Sequence, residues 1–281
     1  MNSTVANSSH AVGLVGEGPV LFERLRLWTG LPGTTVSCLR LDDGGIPGEA
    51  FPVTCRNSLD ALAGDSPALF DFCLPPERLR KAFGGLLRKR GCYLLSGSSL
   101  PVAPADLEWL ERLVRNNRLE LSLAGSLRYH PGAARLREWR ETGLLAGKLE
   151  ISFEFPRAGI PAWAWLDLSL WLLGAGTVVE DDRCGILVDG DGGQARLRSD
   201  AGVIRPRVTV KANGTEAEWD GGNDLILRRQ GTERRLDLPG WHPAAEAGCR
   251  LQELAEAKRW LVFPTEETLR LLRQAARIGD R

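Results

Sequence analysis

The feature that most constrains this chain is the alternation of short apolar runs with amphipathic stretches from residue 11 to residue 125. Residues 11 to 18 read AVGLVGEG, an apolar run ending in glycines, expected to be a buried strand that enters a tight turn. Pro19 can open a helix, because its missing N–H would have no intrahelical acceptor there. Val20 to Trp28 fits that helix, with Leu21, Leu25 and Trp28 on one face, and Gly30 and Pro32-Gly33 stop it. TTVSCLRL, residues 34 to 41, reads as a second strand. The rhythm continues with a short helix from Ser58 to Ala63 behind a serine cap and a strand at 68 to 74 ended by Pro75-Pro76. Helices at Glu77 to Arg90 and Pro104 to Asn117 then alternate with strands at 92 to 97 and 119 to 125. Strands and helices at this spacing predict a parallel sheet with right-handed crossovers, the α/β arrangement of a dinucleotide-binding unit.

From about residue 126 the pattern changes. A helix at Gly132 to Thr142 precedes KLEISFEF, residues 148 to 155, which alternates like a half-buried strand, and an apolar helix follows at Ala164 to Leu173. GILVD, QARLRS, RPRVTVKA, TEAEWD, DLILRR and ERRLDL are short alternating segments with glycine or Asn-Gly turns, expected to form an antiparallel meander. A last helical region runs from about Ala244 to Ala276. The expected fold is therefore a Rossmann-like parallel-sheet domain over 11–125, followed by an α+β domain over 126–281. The second domain is an open antiparallel sheet with helices on one face.

Composition excludes several function classes. Lys+Arg and Asp+Glu both number 36 in the 281 residues, so the chain has no net field to attract nucleic acid or an anionic membrane. The six cysteines form no CxxC pair and there are three histidines, which argues against a zinc site and for a reducing, cytoplasmic setting. The polar start MNSTVANSSHA is not a signal peptide, and no run of about 18 apolar residues spans a membrane.

Five segments in order carry a family resemblance. VGLVGEG is similar to the first strand and turn of the Gfo/Idh/MocA (glucose–fructose oxidoreductase/inositol dehydrogenase) family, and Asp60-Ala61-Leu62 followed by FDFCLPP resembles its D-L-L…T-P-P stretch. GCYLLSGSSLPVAPADLEWL resembles the segment that contains E-K-P. SLRYHPGAARLREWRETGLLAGKLEISFEF resembles the R-Y-x-P helix and the strand after it, and AWLDLSLWLLG resembles H-L-L-D-L-L-L-W-L-L-G. The resemblance implies NAD(P) as cofactor, no metal, and a partner subunit on the open sheet face, either a second copy or a paralogue. Val208, Val210, Leu225, Leu227 and Leu236 give that sheet its organised faces.

The departures bear on function. Where the family has E-K-P with its catalytic lysine, this chain has Gly97, Ser98 and Ser99. Ile160, Ala162 and Ala164 stand at the D-x-G-x-H positions, and Leu79 at the histidine often found after T-P-P. Alcohol oxidation needs a base to take the hydroxyl proton as hydride leaves, and none of these side chains titrates near neutrality. In the glycine turn Gly16 and Gly18 stand, but the third glycine of G-x-G-x-x-G is Leu21, expected to push the helix from the sheet or toward the phosphates, and Glu17 adds a negative charge. Arg40 suits a 2′-phosphate and Asp42 a free 2′-hydroxyl. The cofactor contacts implied are Gly16, Gly18, Arg40, Asp42 and Pro75.

Arg128, Tyr129 and His130 face the cleft in family members, so Tyr129, His130 and Ser98 are the candidate substitute proton donors. The alternative is that Arg128 pairs structurally and Pro131 opens the next helix. Trp163, Trp165 and Trp171 mark either a collapsed cleft or an apolar ligand pocket, and Asp71, on an apolar strand, needs a buried partner. Two functions fit these departures. One is a pseudo-oxidoreductase that binds, regulates or scaffolds. The other is a divergent NAD(P)H-dependent reductase acting on a C=N or C=C bond or a bilin-like substrate.

Overall fold

The computed structural model describes residues 10–42, 51–74, 78–80, 91–96, 104–156, 162–174, 176–181, 185–200 and 202–279. The chain divides into two compact units, Met1–Ala124 with Pro243–Leu272, and Gly125–His242 with Arg273–Arg281.

The first unit is built on β1 (His10–Gly16), β2 (Thr34–Arg40), β3 (Val53–Cys55), β4 (Leu69–Cys73), β5 (Cys92–Leu95) and β6 (Glu120–Leu123). They form one sheet in the order β3-β2-β1-β4-β5-β6, with every pair parallel. The continuous apolar runs are buried on both faces, as parallel strands between helices require. α1 (Gly18–Thr29) follows β1 directly, with Pro19 in its first turn and Leu21, Leu25 and Trp28 buried on the face that the periodicity predicts. Ser58 Oγ caps α2 (Leu59–Gly64) by accepting the Ala61 N–H at 3.1 Å. α3 (Pro104–Asn117) has the bounds read from the sequence, whereas the three-residue edge strand β3 was not anticipated.

The second unit begins with a 3-10 turn (Leu127–Tyr129) and α4 (Pro131–Glu141). Then come β7 (Leu149–Pro156), α5 (Ala162–Leu173), β8 (Thr177–Asp181), β9 (Gly185–Gly190), β10 (Gly193–Asp200), β11 (Arg207–Ala212), β12 (Thr215–Trp219), β13 (Asp224–Arg229) and β14 (Thr232–Asp237). The strand order is β14-β13-β12-β11-β7-β10-β9-β8. Every pair is antiparallel except β7 with β10. The expected antiparallel sheet thus contains one parallel pair, because the chain leaves β7 through α5, re-enters at the edge strand β8 and returns through β9 to β10, which runs beside β7 in the same direction. Leu149, Ile151, Phe153 and Phe155 point to the covered face, and Val208, Val210 and Leu225 join them there, all buried. Asn213 (φ 45°) and Gly214 (φ 74°) form the two-residue turn between β11 and β12, whose geometry needs two positive φ values in succession.

The final helices, α6 (Pro243–Ala257) and α7 (Thr265–Gly279), differ from the sequence-derived domain boundary. Ala247, Leu251, Leu254 and Trp260 pack into the core of the first unit with Val12, Leu14 and Leu94. Arg250, 1% exposed, explains the allegiance. Its guanidinium donates to Ser122 Oγ (2.9 Å) and the Leu123 carbonyl (2.5 Å) at the end of β6, and to Glu246 (2.8 Å) one turn away. A buried cation with all these acceptors met ties α6 to that strand.

Candidate functional site

In the first unit the glycine turn closes on itself. Gly16 lies where a Cβ would come within 2.7 Å of Cys73 Cβ and 3.1 Å of Leu21 Cδ1, so its missing side chain makes room for leucine at the third glycine position. Leu21 turns into the core with no exposed surface, and neither of the displacements expected of it is needed. Gly18 takes φ 62°, with no described atom within 4 Å of its would-be Cβ. Its N–H, of the kind that cradles a pyrophosphate in such turns, donates to Asp42 Oδ2 at 3.3 Å.

Asp42 is itself gripped by Arg40, through Nη2 at 2.9 Å and a second, shorter contact from Nε to Oδ1. That pairing holds the Asp42 carboxyl down at about 2, so it is anionic at any physiological pH. The Arg40 guanidinium lies 5.1 Å over the Phe22 ring, which stacks at 6.3 Å on Phe51. Glu17 pairs with Arg78 at 2.5 Å. The structure brings together Gly16, Gly18, Arg40 and Asp42, four of the five cofactor contacts implied by the sequence; Pro75 and the candidate donor Ser98 lie outside the described residues. An additional phosphate would meet two carboxylates here, with Arg40 and Arg78 already engaged.

Asp71 finds the partner that its apolar strand demanded. Its carboxylate accepts from Trp28 Nε1 (2.6 Å) and Arg24 Nε (2.8 Å), both on α1, and from the Ser96 hydroxyl after β5. It is fully buried and joins helix and sheet.

In the second unit Arg128 and Asp167 form a pair with side chains 1% and 0% exposed. The guanidinium donates through Nη2 at 2.6 Å and Nε at 3.0 Å, and Ser126 Oγ donates to the same carboxylate at 3.0 Å. His130 caps α4: its Nδ1 accepts the Gly132 N–H at 3.0 Å, which places the ring proton on Nε2. The ring packs 4.5 Å from Trp219 and 5.4 Å from Trp241. Burial pushes its pKa down to about 4, against the opposing charge of Asp220. Pro131 opens the helix as the structural reading of this segment expects.

The His130 pKa has a consequence for stability. The unfolded chain takes up the imidazole proton near pH 6.5 and the folded chain only near 4, so the unfolded state binds more protons between those values. Stability is complete above about pH 6.5, falls as the pH drops through the window, and levels off below about 4. Lowering the pH from 7.5 to 5 is expected to cost about 2 kcal/mol. Urea unfolding of wild type and His130→Asn, which keeps a capping oxygen but does not titrate, checks this. The same pH slope in both proteins would refute it.

No known family profile matches the sequence, and no curated protein is similar to it. Solved structures are. UDP-N-acetylglucosamine 3-dehydrogenase GnnA from Acidithiobacillus ferrooxidans matches with a TM-score of 0.77 at 16% identity, over 95% of each chain. The dehydrogenase MviM from Clostridium difficile matches at 0.78 and 13%, over 96% of this chain and 99% of that one. Biliverdin reductase from Synechocystis sp. PCC 6803, solved with biliverdin and NADP+, matches at 0.71 and 14%, over 96% and 98%. The chain has the Gfo/Idh/MocA fold.

Two of the described positions that the sequence resemblance sets against the family's acid–base groups are core positions. Leu79 and Ala164 are buried, and Trp165 stacks on Phe155 at 5.5 Å. The ring of Trp171 lies 5.5 Å from both Arg128 and Arg137, and Arg137 donates to its carbonyl at 2.6 Å. Sequence reasoning missed the Arg40–Asp42 pair, and it offered a structural pairing of Arg128 without naming Asp167 as the partner. The i, i+2 spacing at the end of β2 was the available signal for the first; nothing local marks the second. Among the described residues no cluster of three His, Cys, Asp or Glu side chains is arranged to hold a metal, and no helix is long and apolar enough to cross a membrane.

Proposed function

We propose that this chain is an oxidoreductase-like subunit of Gfo/Idh/MocA fold that works by binding, regulating or scaffolding rather than by turnover. The observation that carries the reading is the Gly18 N–H donated to Asp42, which Arg40 in turn holds anionic. A turn whose donor already serves a fixed carboxylate is a poor pyrophosphate cradle, and Arg40, bound to Asp42, is not free for a 2′-phosphate. His130 supports the same reading: held neutral and committed as a helix cap, it is a poor proton donor. Gly97-Ser98-Ser99 in place of E-K-P agrees with it.

A second reading, a divergent NAD(P)H-dependent reductase, draws on the open approach to Gly18, where a Cβ would meet no described atom within 4 Å. Calorimetric titration of the whole chain with NADH and with NADPH separates the two. The expected result is no binding of either up to ~1 mM. Micromolar binding of one would overturn the binding-subunit reading and direct attention to C=N, C=C and bilin-like substrates, the last being what the neighbouring biliverdin reductase was solved with.

A further inference from the structure

Two cysteines stand side by side at one edge of the parallel sheet. In the pairing of β2 with β3, Val36 lies beside Val53, Ser37 beside Thr54 and Cys38 beside Cys55. Side chains two apart on a strand share a face. Val36 and Cys38 lie in the core with Leu21, Leu25 and Trp28 of α1, and Val53 packs against that same core. Cys55 therefore stands on the face of Cys38. Ser37, between Val36 and Cys38, turns the other way and bonds to Asp65. The Arg56 N–H donates to the Cys38 carbonyl at 2.8 Å, which holds the chain directly after Cys55 against β2.

Neighbouring strands stand about 4.8 Å apart and disulfides span Cα separations of about 4.4–6.8 Å, so the pair is in bonding range. The movement needed to bring the sulfurs together falls on β3, an edge strand of three residues. Cys73 shares the core but sits on β4, with β1 between it and β2, a separation of roughly 10 Å that no disulfide spans. Exposure gives the two thiols different parts. Cys55 is exposed, whereas Cys38 has no exposed surface. Burial pushes the Cys38 thiol up to about 12, and the neighbouring Cys55 adds to that push, so Cys38 stays protonated and shielded from solutes.

We propose that Cys38 and Cys55 form a reversible thiol–disulfide site that reacts with hydroperoxides. Cys55 meets the oxidant first. Its thiolate attacks one oxygen of hydrogen peroxide and the O–O bond breaks. The products are the Cys55 sulfenic acid and a hydroxide that takes up the proton released by the thiol. The Cys38 sulfur then displaces the sulfenic oxygen. The S–S bond forms as the S–O bond breaks, and the Cys38 proton leaves with that oxygen as water. Two thiols are oxidised by two electrons, and one peroxide is reduced to two waters. A buried thiol is a slow nucleophile, but one held beside its target by strand pairing reacts within the molecule. The bridge fastens the edge strand covalently and encloses Arg40 and Asp42 in a loop that runs from 38 to 55.

The test is peptide mapping of the full chain after brief exposure to a small excess of hydrogen peroxide. Trypsin cuts after Arg26, Arg40 and Arg56, so Cys38 and Cys55 fall on separate peptides, 27–40 and 41–56. The expected result is that these two peptides are joined, and that dithiothreitol separates them. Two variants read the order of events. Cys55→Ser, at an exposed position, is expected to leave Cys38 reduced. Cys38→Ala removes the thiol that resolves the sulfenic acid, so Cys55 is expected to take up dimedone at least ~5-fold more than in wild type. Peptides that stay apart, with Cys55 passing to sulfinic acid equally fast in wild type and Cys38→Ala, would overturn the proposal. So would Cys55 joined to another cysteine or to a second chain. If Cys38→Ala does not fold, the wild-type map alone decides. The site rests on the pairing of β2 with β3 and not on dinucleotide binding, so it and the proposed function fail separately.

Discussion

Asp167→Ala is expected to lower the free energy of unfolding by about 3–5 kcal/mol, measured by urea denaturation followed by tryptophan fluorescence. The substitution leaves the Arg128 guanidinium buried without its carboxylate, and Ser126 Oγ loses an acceptor at 3.0 Å. The contact of Arg128 with the Trp171 ring is worth far less than the lost ion pair. A charge stranded in this way costs more than the pair contributes when intact, because two desolvation penalties stand against their mutual attraction. The double variant Arg128→Met, Asp167→Leu removes both charges together and is therefore expected to recover most of the loss. A cost below about 1 kcal/mol for Asp167→Ala would show that water reaches the guanidinium and that the pair is not buried in solution.

Asp71→Leu is expected to cost about 3 kcal/mol in the same measurement, and Asp71→Asn about half of that. Leucine fits the apolar strand but strands the Trp28 indole N–H, the Ser96 hydroxyl and the Arg24 guanidinium, three donors that converge on one carboxylate. Arg24 is 14% exposed at its side chain and can turn toward solvent, which keeps the cost below that of a fully enclosed cation. Asparagine retains one acceptor oxygen and loses the charge, so its cost isolates the ionic share. Equal costs for the two variants would mean that the charge carries the whole effect and that the acceptor oxygen kept by asparagine contributes nothing.

Both predictions depend on pairs that the sequence did not reveal. Asp71 was legible as a problem, a carboxylate inside an apolar strand, but its partners lie 25 to 47 positions away and no local pattern names them. Arg128 and Asp167 are 39 positions apart and drew opposite readings of that segment, one functional and one structural. The glycine turn was legible as eroded; that Gly16 opens space for Leu21, and that Asp42 takes up the Gly18 N–H, emerged only with the strands in place.

What the sequence determined by itself was the succession of elements and the direction in which their side chains point. Leu21, Leu25 and Trp28 on α1, and Leu149, Ile151, Phe153 and Phe155 on β7, follow from periods of 3.6 and 2, and a period is a local property of the backbone. The serine cap at Ser58 and the Asn213-Gly214 turn are equally local, since donor and acceptor lie within a few residues. Tertiary structure alone decided which strand neighbours which: that β7 sits mid-sheet beside β10, and that α6 joins the first unit through Arg250 and the end of β6. It also set Cys55 beside Cys38. Alternation tells which residues face outward, but the lateral neighbour of each depends on strand order and register, which are chosen by contacts between distant parts of the chain.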